Sequence, residues 1–196
     1  MNFEEPVPWM RRVGSGLMAV FLFGGLLQAL FPQLHVPIIE LVLSALSMLT
    51  FLIHEAGHSV FGLLGQFMGA LGGTLAQLLF PLLVSLVGLS RPRERVTALF
   101  FVFWLGLSLM DVSRYIGDAR SQQLKLFSPQ ALLDGAAPIH DWHYLLGQVG
   151  LLPYDHVLAA GVYGLGLLVM LAALAAALLL AAGRNPFGFL DQHPAV

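Results

Sequence analysis

Hydrophobic residues run along this chain in long blocks, unlike the two-residue alternation of a half-buried strand or the one-sided stripe of a surface helix. Five blocks approach or exceed the roughly 20 apolar residues a helix needs to cross a bilayer. They cover about Val13–Phe31, Ile38–Leu64, Thr74–Leu89, Val96–Ile116 and His156–Ala182. Pro32–Pro37, a glycine-rich break from Gly65 to Gly73, and Ser90–Arg95 separate the first four, because Pro removes a backbone donor and Gly releases the backbone. The remaining connection, Gly117–Asp155, is long and dense in Asp, His, Gln and Pro, and connections of that length are commonly functional or disordered. The pattern predicts an all-α polytopic membrane protein, with residues 1–196 forming a single integral membrane domain of about five transmembrane helices.

Composition sharpens this picture. Of the 196 residues 58% are hydrophobic and 10% charged, where a soluble domain carries about a quarter charged. So much apolar surface requires lipid as part of the solvent. The chain has no cysteine, which excludes disulfides, thiolate metal sites and a cysteine nucleophile. A net charge of −2 without a basic cluster leaves nucleic-acid binding no electrostatic footprint. The first block follows Glu4, Glu5, Arg11 and Arg12 and is not followed by a small-x-small site, so it is expected to be retained rather than cleaved. Arg11 and Arg12 draw the N-terminus to the inner face, but Arg91, Arg93 and Arg95 then fall on the other side, and the near balance leaves orientation open.

The chemistry concentrates at His54-Glu55-Ala56-Gly57-His58, within the second block. His54 and His58 are four residues apart, so a helix stacks both imidazoles on one face, where their nitrogens can reach one metal at about 2.0–2.1 Å. Glu55 lies about 100° around the helix, placed to hold a water beside the metal rather than to ligate it. Gly57 leaves one flank of the turn open to close approach by substrate or a neighbouring helix. Ionisable side chains inside a membrane segment are costly and mark function by default. Two neutral histidines and a protonated Glu could instead bond neighbouring helices, but such a contact has no need of this trio at this spacing.

A His-Glu-x-x-His motif in a transmembrane helix resembles the site-2 protease-like intramembrane zinc metalloproteases, and His54, Glu55 and His58 match it residue by residue. The run Gly72-Gly73-Thr74-Leu75-Ala76-Gln77, with Pro81, resembles the polar, kinked element that packs beside the site in that group. The resemblance covers the second and third helices. It implies Zn2+ as cofactor, Glu55 as general base, Gln77 as a supporting residue, a membrane protein as substrate and the inner (plasma) membrane of a bacterium as location. Members draw a third ligand from an Asp in a Leu-Asp-Gly motif. Leu133-Asp134-Gly135 spells it, but in the polar connection and with no Asn-Pro before it, where an Asp-Gly turn accounts for it equally well.

Topology narrows the third ligand further. The second helix runs toward Gly65, which puts the motif about 10 Å from that membrane face. The fourth helix returns to the same face, so its end and the Gly117–Asp155 connection share the motif's side. Asp111, Arg114 and Asp118 form one stripe, in which Arg114 can pair with either carboxylate. His140-Asp141-Trp142-His143 is the second cluster, with Asp141 placed to fix a histidine tautomer as a supporting acceptor. Similar bacterial membrane proteins share a Tyr-Ile-x-Asp-Ala and a His-Asp-Trp stretch, matched here by Tyr115–Ala119 and His140–Trp142. That favours Asp118 or His140 as third ligand over Asp111 or His143.

The expected function is hydrolysis of a peptide bond in a membrane-embedded substrate. A zinc hydrolase of a lipid amide or ester would use the same motif, and a non-catalytic metal-binding protein would keep the histidines without needing Glu55. No Gly-x-Ser-x-Gly elbow or phosphate-binding loop points to other chemistry.

Overall fold

A computed structural model describes residues 8–124 and 140–192. Its helices are α1 (Pro8–Leu30), α2 (Pro37–Gly62), α3 (Gln66–Leu89), α4 (Arg95–Gly117), the short α5 (Asp141–Gln148) and α6 (Asp155–Ala181), with single 3-10 turns at Leu152–Tyr154 and Gly188–Gln192. Among the described residues there is no strand. Five helices are long and apolar enough to cross a membrane, so the protein is an all-α, multi-pass membrane protein. The Leu133-Asp134-Gly135 match lies outside the described residues.

One boundary departs widely from expectation. The glycine-rich stretch Gly65–Gly73 is not a break: α3 already begins at Gln66, and residues 63–65, with Gly65 at φ 106°, make the turn. The other glycines serve packing. A methyl on Gly57 would strike the Gly72 carbonyl, and one on Gly72 would lie 2.5 Å from the Phe61 Cβ and 2.6 Å from the Gly57 carbonyl. One on Gly69 would meet the Gly62 Cα at 3.2 Å. In lipid, where water does not drive helices together, this backbone-to-backbone approach is what small residues provide.

The chain forms two compact units, and α2, α3, α4 and α6 each supply a segment to both. One comprises Met1–Ala45, Pro81–Leu107 and Leu168–Val196. Its core holds Leu22, Leu26, Leu99, Phe103, Trp104 and Met170. The buried guanidinium of Arg95 would be costly alone. It is met by Asp191, by Asn185 at 3.3 Å and by the Phe187 ring at 5.5 Å.

The other unit, Leu46–Phe80 with Ser108–Leu167, contains every motif residue. Its α2–α3 hairpin is followed by the end of α4, onto which α5 and the start of α6 dock. Val112, Ile116, Ala119 and Leu146 form the buried cluster, flanked by Leu78, Trp142, Leu158 and Val162. Asp155 is fully buried and takes Arg120 Nε at 2.8 Å and Nη2 at 2.7 Å, tying the exit of α4 to the start of α6. Pro81, which has no N–H to donate to the carbonyl one turn earlier, stands where α3 passes from this unit to the other.

Replacing Gly72 by Val overpacks the hairpin and is expected to cost about 1–3 kcal/mol or more. In detergent-solubilised protein this reads as a lowered Tm. Gly62→Ala, whose added methyl meets nothing within 4 Å, is expected to leave the Tm nearly unchanged.

Candidate metal centre

α2 carries His54 and His58 on the face turned to α3. The His54 Nδ1 lies 2.6 Å from Gln77 Oε1, and the His58 Nδ1 lies 2.8 Å from the Gly69 carbonyl. Carbonyl oxygens only accept, so both Nδ1 atoms carry the hydrogen, and each neutral ring presents a bare lone pair at Nε2. Those two Nε2 atoms face each other at 3.0 Å. Asp141, the first residue of α5, brings its Oδ2 to 3.4 Å from His58 Nε2 and 3.7 Å from His54 Nε2.

Three acceptors thus converge without a donor among them, and such a cluster needs a cation. A proton on His58 would satisfy one pair of contacts; a divalent metal satisfies all three at once. Tetrahedral ligands about 2.0–2.1 Å from zinc stand about 3.3–3.4 Å from one another, close to the separations found here. Among the described residues, His54, His58 and Asp141 are the group whose ligand atoms lie within 4.8 Å of one another.

The space for an ion comes from a residue with no side chain. A Cβ on Gly73 would lie 2.6 Å from His54 Nε2 and 2.7 Å from His58 Nε2. Gly73 therefore borders the point where the lone pairs meet. Gln77 is held in turn, its amide donating to the Ser108 carbonyl at 3.4 Å. The Tyr115 hydroxyl donates to Asp141 Oδ2 at 3.2 Å and lies 3.2 Å from the Asp141 amide, which fixes the start of α5 against α4. Glu55, half-buried, interacts electrostatically with His58, His54 and Asp141.

The third position differs from the sequence expectation. Asp118 does not join the group, because its carboxylate closes the turn after α4, accepting from Ser121 Oγ at 2.6 Å and from the amides of Gln123 and Leu124 at 2.9 Å. His140 does not join it either. Its Nδ1 caps α5 by accepting the His143 amide at 3.2 Å, and its ring stacks on Tyr115 at 4.3 Å between centroids. Its Nε2 lies 3.3 Å from Asp118 Oδ2, without the alignment of a hydrogen bond. Burial lowers the His140 pKa, so this ring is neutral at neutral pH. His143 Nδ1 is 2.8 Å from the Ala119 carbonyl, and half-exposed Asp111 is paired with Arg114 at 3.7 Å. Asp141, expected to support a histidine, is the carboxylate at the histidines. Gly57 meets α3 rather than a substrate. Tyr115 and Gly73 were missed as functional positions, although both lie in stretches the sequence singles out.

Zinc content measured on purified protein is expected to fall to near zero in Asp141→Ala and to stay near wild type in Asp118→Asn. Gly73→Ala is expected to weaken binding by crowding both rings. Gln77→Ala is expected to weaken it about 10–100-fold, as loss of an outer partner of a ligating histidine does.

Asp118 also predicts a pH effect. Burial would raise its pKa, but the Ser121 hydroxyl, the Leu124 and Gln123 amides and nearby His140 hold it down at about 2. A depressed carboxylate stabilises the fold above its unfolded pKa of about 3.9 and loses that contribution as pH falls through the folded value. Wild-type Tm is therefore expected to drop between about pH 4 and pH 2 by more than that of Asp118→Asn. Comparison of the chain with family models, with curated proteins and with solved structures finds no match.

Proposed function

We propose that this protein is an intramembrane zinc metallohydrolase, and specifically a protease acting on a membrane-embedded peptide chain. The observation that carries the reading is the meeting of His54 Nε2, His58 Nε2 and Asp141 Oδ2 beside Glu55. The donor set of two imidazoles and one carboxylate suits zinc, and among the described residues no fourth protein ligand joins it, as in catalytic rather than structural sites. Zinc held there would polarise a substrate carbonyl and bring a water pKa to near 7.

The chain's own residues supply the rest. Gln77 and the Gly69 carbonyl hold both imidazoles in the tautomer that presents Nε2 inward. Tyr115 orients Asp141. Glu55, which has no place among the ligands, takes the proton of the attacking water and returns it to the leaving amine. The motif's resemblance to site-2 protease-like enzymes supports a peptide substrate and a bacterial inner-membrane location.

The test uses purified protein in nanodiscs with zinc restored and a set of transmembrane peptides as substrates. Glu55→Gln is expected to keep zinc and lose about 10²–10⁴-fold in rate. Full activity in that variant sinks the base assignment. Wild-type protein that binds no zinc sinks the metal reading.

A further inference from the structure

Beside His54 a cavity of about 200 Å³ runs along α2. Ser47, Thr50 and Phe51 of α2 line it ahead of His54, with Thr74 and Gln77 of α3 and Asp111, Val112 and Tyr115 of α4. All belong to helices of membrane-spanning length, yet most of these side chains are polar. The size admits several waters or one short side chain with the backbone unit that carries it.

Two features say what the cavity takes. Thr74 is 4% exposed and its hydroxyl has no hydrogen-bond partner. A buried threonine on a helix ordinarily bonds a carbonyl of the preceding turn, so this free hydroxyl marks a place where a partner comes from outside. Asp111, at the same cavity, meets Arg114 through Oδ1 at 3.7 Å, which leaves Oδ2 to accept from an incoming donor. An acyl chain would leave both groups unpaired in a site from which it excludes water. An acidic side chain would face Asp111. A short neutral donor, as in Ser, Thr or Asn, satisfies both.

Resting on the hydrolase reading, we propose that this cavity is a specificity subsite for the substrate residue next to the scissile bond, and that it selects a short side chain with a hydrogen-bond donor over an apolar or acidic one. Thr74 and Asp111 are its selecting residues. The subsite also favours peptide over lipid substrates, since a hydrocarbon chain would leave Thr74 and Asp111 unmet.

The absence of cysteine makes the first arm of the test direct. Ser47→Cys and Met48→Cys are compared in nanodiscs with a charged, membrane-impermeant thiol reagent, labelling being read by mass spectrometry. Ser47 lines the cavity, whereas Met48 does not and is 61% exposed. Ser47→Cys is expected to react at least about tenfold faster, because lipid excludes a charged reagent from Met48→Cys. Equal rates overturn the subsite while leaving the metal centre and hydrolase reading intact.

The second arm offers zinc-loaded protein a peptide series with Ser, Asn, Leu or Glu on either side of the cleaved bond. Wild type is expected to prefer Ser or Asn at one position by at least about tenfold in kcat/KM. Thr74→Val, which keeps the shape, is expected to erase that preference with zinc content unchanged. A preference that survives in both Thr74→Val and Asp111→Asn overturns the proposal, as does its absence from wild type. If zinc-loaded wild type cleaves no peptide, the protease reading falls and this subsite with it.

Discussion

Two imidazole lone pairs held 3.0 Å apart are the constraint on which the site-bearing unit depends. Left to themselves they repel. The helix backbone stacks His54 over His58, and the Gln77 and Gly69 oxygens prevent either ring from turning its N–H inward. The energy of holding them there comes from the α2–α3 hairpin, whose glycines bring the two backbones into contact. A wider hairpin would carry the Gly69 carbonyl and the Gln77 amide away from the rings. Helix packing and metal-site geometry are therefore one arrangement, which explains why glycine clusters both within the motif and opposite it.

The remaining parts close that arrangement from the aqueous side. The ion pair of Arg120 with buried Asp155 and the Asp118 turn fix where the chain leaves α4 and where α6 begins. α5 sits between these points with its first residue at the histidines and its cap, His140, packed on Tyr115. Asp118 and His140 thus hold in place the segment that carries Asp141. Their bonds are directed at the backbone, which is what separates a residue that builds a site from one that lines it.

How much of this was legible in the sequence depends on the range of the interaction involved. Long apolar blocks and the His54–His58 spacing are local, and both were readable from composition and helix period. The side of the membrane on which the third ligand would be found followed from counting helices. The ligand itself did not, because Asp118, His140 and Asp141 have the same chemistry on paper, and only the course of the chain between α4 and α5 decides which one arrives. Gly65–Gly73 read as a break because glycine disfavours isolated helices, and in a membrane close packing outweighs that preference. Gly73 shows the limit most clearly. Its role is the space left by a missing methyl, and that can be seen only once its neighbours are in position.

The two kinds of ligand differ in when they become available. His54 and His58 belong to the second long helix, while Asp141 is reached only after four of the five membrane-length helices have been synthesised. A chain being made N-terminus first holds two histidines with no carboxylate opposite them, a pair that grips metal far less firmly than the completed triad. The Asp141 position therefore ties completion of the His54, His58 and Asp141 cluster to synthesis and docking of the segment that follows α4.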